Sequence, residues 1–338
     1  MVEANTVPEM LAVPLRLSRI FMPYAMRQRD AAHQRQGISD PISGGLRFAH
    51  YTSAEAALKI LTSKRIWMRN ATCMADYGEV LHGWQILLAY FDKPRTDEFV
   101  AALDASVPGA AREAISLFNG WQQNGLNLNI FVASLSEHDQ SEDRHGRLSM
   151  WRAFGTSSTT RVAIVIKVPG YSGGAEMLGI QFSPVAYLPE EEVHAVIHEV
   201  TENAKRDAEF LRTIDKQAIT AWLFNMFFVG VACLKHRGFH EEREWRGIYA
   251  PQISKSSMIE QSIEVVGGVP QHVQKLPLDR HVSPELAGID LHAMLDRVII
   301  GPSPYPWVLY QSFVHTLRDA GIADAENKVI VSDIPIRS

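Results

Sequence analysis

Cysteine is scarce. Cys73 and Cys233 are the only two in 338 residues, so no disulfide framework can form and a reducing compartment is expected. Charge of one sign is lacking too: 33 Lys+Arg against 38 Asp+Glu give a net −5. That balance excludes a strongly basic nucleic-acid coat protein, though not a local basic groove. Long apolar runs are missing as well. The longest, 221–234, is AWLFNMFFVGVACL; it is shorter than the about 20 residues a bilayer span needs and is expected as a buried core helix. The apolar stretch at 11–26 is broken by Pro14, Arg16, Arg19 and Pro23, so no signal-peptide core is expected. There is no GxGxxG, Walker A or GxSxG, which argues against a Rossmann dinucleotide enzyme, a P-loop NTPase and an α/β-hydrolase. Neither cysteine sits in a CxxC, and HAVIH at 194–198 lacks the glutamate of HExxH, so no metal site is expected. The expected location is cytoplasmic, with no membrane association.

What is present is ordinary globular composition, 46% hydrophobic and 21% charged, in a chain long enough to bury a large core. Residues 1–45 carry Arg16, Arg19, Arg27, Arg29 and Arg35 and end in a turn-rich SDPISGG, so they read as an N-terminal extension that packs as an arm. The remainder, 46–338, reads as a single domain. LRFAHY at 46–51 and RIWMRN at 65–70 are strands on either side of a helix, with Thr52 as N-cap and Glu55 closing a capping box. Helices are expected near 76–91, 97–106 and 110–122. TRVAIVIKV at 160–168 is almost wholly apolar and β-branched, the mark of a central strand buried on both faces. Pro184 in IQFSPVAYL marks that strand as an edge or a bulge. Helices fill 190–235, and strands return at 242–250, 262–268, 273–278, 296–301 and 328–336, with a helix at about 306–320. Strands and helices fall in blocks, which argues α+β.

Four groups of residues could carry chemistry. His50, Tyr51 and Thr52 stand where a strand is expected to end in a capped helix. Free N–H groups and the helix dipole there favour an anion, and the His and Tyr could bind a ribose and stack on a ring; the plain alternative is a core histidine beside an ordinary cap. In FHEEREWRGIY (239–249), period two puts Glu242, Glu244 and Arg246 on one strand face. Glutamate is disfavoured in strands, so the stripe is either an edge ion-pair ladder or a site for a cationic group. Ser134, Trp151 and Arg152 flank the polar loop 137–147: Arg152 could bind a phosphate and Trp151 stack on a flat ring, or both could open a helix against the core. Asn70, Asp76 and Glu79 read best as helix caps.

Ordered along the chain, HYTSAEAALKILTSKRIWMRN (50–70), Met74-x-Asp76-x-x-Glu79, FVASLSE (131–137), MWRAFG (150–155), KHRGFHEEREWR (235–246), VIIGP (298–302) and VSDIPIR (331–337) resemble a bacterial family known as domain of unknown function 2971. More distantly that family resembles the ADP-ribosyltransferase superfamily. The resemblance implies a split sheet that binds NAD as substrate, with a His on the first strand, an aromatic or Ser on a middle strand and a Glu on a late strand. His50 matches the first position and Glu244, or Glu242, the last, while Trp67, Ser134 and Trp151 compete for the middle. Tyr51, Thr52 and Arg152 complete the implied NAD-binding set. It also implies cleavage of the nicotinamide–ribose bond, a protein, nucleic-acid or water acceptor, a toxin or phage-defence role, and an antitoxin or immunity partner. Two rival readings stand beside this one: a non-catalytic nucleotide- or partner-binding module, and a nucleic-acid processing protein.

Overall fold

The computed structural model describes residues 9–40, 45–73, 77–91, 93–123, 129–153, 160–170, 177–266 and 268–335. In chain order, the elements up to the polar loop are α1 (Glu9–Phe21), α2 (Pro23–Arg35), β1 (Leu46–Ser53), α3 (Ala54–Ser63), β2 (Arg65–Asn70), α4 (Tyr77–Tyr90), α5 (Lys93–Asp104), α6 (Ala110–Gln123) and β3 (Phe131–Glu137). Then come α7 (Leu148–Ala153), β4 (Arg161–Val168), β5 (Gln181–Pro184), α8 (Glu190–Arg206), α9 (Lys216–Cys233), β6 (Glu244–Tyr249), β7 (Glu260–Val266), β8 (Val269–Pro277), β9 (Leu295–Ile300), α10 (Pro306–Asp319) and β10 (Val329–Val331). The class is α+β.

The chain divides into two compact units, each assembled from separate stretches. The first takes Met1–Asp30, Ala71–Ile130 and Ser183–Phe239; the second takes Ala31–Asn70, Phe131–Phe182 and His240–Ser338. The division does not follow the 45/46 boundary expected from composition. The reason is burial: Leu17, Ile20 and Phe21 of α1 are almost fully enclosed, and the Asn203 amide of α8 donates to the carbonyls of Arg19 and Ile20.

The first unit is helical, and aromatic rings fill much of its core. Trp84 stacks on Phe118 at 4.7 Å between ring centroids, and Phe227 meets Phe91 edge-on at 5.3 Å and Phe118 at 5.4 Å. Such pairs add about 0.5–1.5 kcal/mol each beyond the area they bury. Helix α9 is apolar on nearly all sides. By length and composition alone it could cross a membrane, and half of that stretch is buried inside the protein.

The second unit carries the sheet. Along one path the order is β10-β9-β4-β1-β3-β2-β8-β7, with β6 paired to β3 and β5 to β6. Only β9–β10 is parallel among the ladders given by register, and β4 lies between β1 and β9. Strand β4 is buried on both faces, as its composition predicts: Val162, Ile164 and Ile166 enter one apolar cluster and Ala163 and Val165 another. One junction departs from plain pairing. On one edge β3 pairs with β6 from Phe131 to Ser136. On the other edge, β2 pairs only at Val132 and Phe131, and β1 only at Ser136 and Glu137. The backbone of residues 133–135 therefore faces a gap where β1 and β2 diverge.

Candidate functional site

The gap in the sheet leaves the Ser134 carbonyl without a strand partner, and a buried acceptor without a donor is costly. His50 supplies the donor: its Nδ1 lies 3.0 Å from that oxygen. A carbonyl only accepts, so the proton sits on Nδ1 and Nε2 is left as an acceptor. Burial holds the His50 imidazole below its usual pKa, against the opposing pull of the Ser134 carbonyl. The hydroxyl of the same serine donates to Glu244 Oε1 at 2.5 Å. Arg246 then grips Glu244 through Nε to Oε1 at 2.8 Å and Nη2 to Oε2 at 3.2 Å. Glu244 and Arg246 are 6% and 2% exposed, so this is a buried fork rather than the exposed edge ladder that the glutamates alone suggest.

Register decides which side chains share a face. Ala49 opposes Ser136, Ser136 opposes Glu244, and Ser134 opposes Arg246. Arg69 opposes Val132, so Trp67 and Arg69 of β2 lie on that face as well. His50 belongs to the other face, with Phe48, Leu135 and Trp245. Its ring reaches the Glu244 system through the Ser134 carbonyl in the plane of the sheet. Ser134 is thus the residue that joins His50 to Glu244.

Glu242 does not join them. The expected strand at 242–250 begins only at Glu244, and Arg243 has φ +44°, a left-handed conformation that interrupts the alternation. Glu242 closes a short 3-10 helix, Arg237–Glu242. Its carbonyl accepts from the Ser136 hydroxyl and from Arg147 Nη1.

Tyr51 and Trp151 come together, but as packing. Trp151 is 6% exposed, meets Tyr51 edge-on at 4.8 Å and donates from Nε1 to the His145 carbonyl at 2.7 Å. Gly146 and Gly301 close around the indole: a Cβ at Gly146 would lie 2.6 Å from Trp151 Cζ2, and one at Gly301 3.0 Å from Cε3. No ring of a ligand stacks on an indole enclosed in this way, which corrects the expectation for Trp151. Tyr51 is buried, its hydroxyl accepts from the Arg147 N–H, and burial pushes its pKa up to about 12.

The cap moves by one residue. Thr52 stays in the ladder opposite Val162, and Ser53 is the N-cap, accepting from the Ala56 N–H. The Ala54 N–H donates to the Thr160 carbonyl. Two of the first N–H groups of α3 are therefore occupied, and His50 lies within β1 rather than at its end. The expected cap at Thr52 and the expected place of His50 at the end of its strand are corrected accordingly. Trp67 is half-buried with two ammonium groups near its ring, Lys59 at 5.4 Å and Lys275 at 5.7 Å from the centroid. Arg152 is exposed in the last turn of α7. Asn70 ends β2. Met74 and Asp76 lie outside the described residues, as does the side chain of Glu79.

Sequence reasoning missed the residue that ties the margin of this face together. Arg147 donates to Glu142 Oε1 at 2.7 Å, Ser136 Oγ at 2.6 Å, the Glu137 carbonyl at 2.6 Å and the carbonyls of Glu241 and Glu242. The loop around it reads as a polar loop, yet Glu137, His138 and Glu142 are buried. The signal was the dense mixture of both charge signs directly after an apolar strand, a composition that can neutralise itself inside a fold.

No curated protein and no solved structure matches the chain. Residues 150–247, which run from α7 to the strand bearing Glu244 and Arg246, match the model of a family described as protein of unknown function (DUF2971).

Proposed function

We propose that the chain is an ADP-ribosyltransferase-like protein that takes NAD at the split edge of β3 and cleaves its nicotinamide–ribose bond. The observation that carries this reading is Ser134, whose carbonyl accepts from His50 and whose hydroxyl donates to Glu244. A first-strand His, a middle-strand Ser and a late-strand Glu thereby converge on one residue. Among the three residues competing for the middle position, this contact favours Ser134 over Trp67 and over the enclosed Trp151.

The chemistry asked of Glu244 is electrostatic. Breaking the C1′–nicotinamide bond leaves an oxocarbenium-like ribose, and a fixed carboxylate beside it, bonded to the 2-hydroxyl, lowers that barrier. Nicotinamide leaves as a neutral ring. A nucleophile of a macromolecule, or water, then adds to C1′ and gives up its proton. Ser134 and Arg246 orient the carboxylate beforehand, so that no reorganisation is needed in the reaction. The half-buried Trp67, on the same face, offers a ring for the substrate. A toxin or phage-defence role, with an antitoxin or immunity partner, belongs to this reading by resemblance.

A second reading has its own observation. Both oxygens of Glu244 are already engaged by Arg246 and Ser134, which suits a structural pair in a non-catalytic binding module. Incubating the purified chain with NAD, with and without cell lysate, and following nicotinamide release separates the two. The proposal expects release by the wild type and a loss of about 10²-fold or more in Glu244→Gln, measured at a temperature where circular dichroism shows the variant folded. Saturable NAD binding without any release supports the module; neither binding nor release overturns both.

A further inference from the structure

Three strands of the sheet unit end in one corner. β1 and β9 both run antiparallel to β4, and β10 runs parallel to β9. β1, β9 and β10 therefore share a direction, and their last residues gather where β4 begins. Carboxyl ends of strands that share a direction are where open α/β sheets take their ligands. Two helices start in this corner, α3 directly after β1 and α10 soon after β9. Thr160 and Ser303 tie the two starts together. The Thr160 carbonyl accepts from the Ala54 N–H of α3, and its hydroxyl lies 3.3 Å from that of Ser303. The Ser303 hydroxyl in turn accepts from the N–H of Tyr305, the N-cap residue of α10, a helix with no side-chain cap. The positive ends of two helix dipoles thus lie beside one pair of hydroxyls. Glu55, the acidic residue in the first turn of α3, is paired with Lys59, and the first turn of α10 has none.

Beside the hydroxyls stands a cation without a counter-charge. Arg161 opens β4 opposite Ser53, and its carbonyl accepts from the Gly301 N–H. The side chain is half-buried, and its Nε is sealed from solvent with no hydrogen-bond partner. Burial lowers its pKa, and no acidic neighbour among the described residues acts against that. The stretch just before it, 154–159, lies outside the described residues and is FGTSST, with no charged residue. By contrast Arg47, Arg147, Arg243, Arg246 and Arg297 of the same unit each grip a carboxylate. A cation partly withdrawn from water and left unpaired is costly; an anion at its terminal nitrogens relieves that cost.

We propose that this corner of the sheet unit binds a phosphate group, held by the terminal nitrogens of Arg161 and the hydroxyls of Thr160 and Ser303. A planar guanidinium matches the spacing of two phosphate oxygens, and each hydroxyl can turn its proton toward a further oxygen. None of these residues belongs to the His50–Ser134–Glu244 group, so the site stands apart from the one proposed for NAD.

The test uses the full chain and inorganic phosphate, titrated by isothermal calorimetry at constant ionic strength, with melting temperature as a second readout. Expected are saturable 1:1 binding and a melting temperature that rises with phosphate concentration. Arg161→Gln should weaken binding by about tenfold or more, and Arg161→Lys, which keeps the charge but loses the planar fork, by a smaller factor. Arg318→Gln removes an exposed arginine of α10 that Glu326 grips and should leave binding unchanged. ADP titrated in the same way identifies the source: tighter binding that also falls in Arg161→Gln assigns the phosphate to a nucleotide, and weaker binding assigns the free anion. Absence of saturable phosphate binding by the wild type, or equal binding by a folded Arg161→Gln, overturns the proposal. So does an equal loss in Arg318→Gln. Should Arg161→Gln fail to fold, binding by Arg161→Lys as tight as wild type overturns it.

Discussion

The two units hold their interiors by opposite means. The helical unit relies on rings and aliphatic chains and leaves a half-open apolar pocket of about 110 Å³ beside α9. The sheet unit buries the ion pair of Glu244 with Arg246 and the carboxylate of Glu137, which the exposed Arg35 grips, and packs Trp151 so tightly that two glycines are needed around it. Apolar packing tolerates a void because each lost contact is worth little. A buried charge tolerates nothing of the kind, since removing its partner leaves the whole desolvation penalty exposed. A fold therefore keeps buried charges only where geometry satisfies each atom. In the sheet unit that satisfaction centres on the place where β1 and β2 part.

The sharpest way to break this comparison is to remove one charge. Glu244→Gln removes the negative charge that the Arg246 Nε and Nη2, on a side chain 2% exposed, now grip. The expected loss is about 3–5 kcal/mol, measured by urea denaturation. Glu244→Met combined with Arg246→Met should recover most of it, because a hydrophobic replacement of a buried pair is often neutral or better. If the single variant costs less than about 1 kcal/mol, on the scale of an exposed pair, the pair is solvated in solution and the contrast between the units fails.

Much of this fold was legible. β2 lies at 65–70, where its alternation predicts it, and β4 is buried on both faces as a nearly all-apolar run should be. Tertiary geometry decided the rest. Period two predicts Glu242 beside Glu244, and the left-handed Arg243 separates them. Thr52 and Glu55 spell a capping box, but the ladder with β4 holds Thr52 extended and passes the cap to Ser53. Of the site, Glu244, Arg246, Ser134 and His50 could each be named from sequence, though their convergence could not. The gap in pairing that joins His50 to Ser134 exists only once three strands meet.

Glycine gives the next test, because the same substitution should act oppositely in the two units. Gly146→Ala puts a methyl group 2.6 Å from the Trp151 ring at a residue with φ +67°, where alanine is strained. A cost of about 1–3 kcal/mol is expected from overpacking. Gly230→Ala meets no atom and should stabilise by up to about 1 kcal/mol through helix propensity. Thermal melts of the two variants decide it; two changes of the same sign would refute the contrast between a glycine that the Trp151 ring requires and one exposed on a helix.

The smallest effect comes from protons. His50 and His138 lie in the sheet unit, and burial holds both below the usual histidine pKa; for His138 the nearby Arg47 adds to the depression. Each is neutral in the folded chain at a pH where the unfolded chain, with an ordinary value near 6.5, begins to take up protons. Their contribution to stability is complete above about pH 6.5 and is lost as pH falls through the lower, folded values. The buried carboxylate Asp290 stays out of this window. Burial alone would raise it, but hydrogen bonds from Arg280 and His292 outweigh burial and hold it at about 2. Between pH 7.5 and 5.5 the folding free energy should therefore fall, with a slope of at most about 1.4 kcal/mol per pH unit for each histidine. His50→Asn places an amide nitrogen where Nδ1 stands, so it can keep the bond to the Ser134 carbonyl while removing the titration. Denaturation curves across this range should show a shallower slope in that variant, with stability at pH 7.5 little changed. A slope identical to wild type would mean that the imidazole titrates alike in both states, and that His50 is not sealed into the gap beside Ser134.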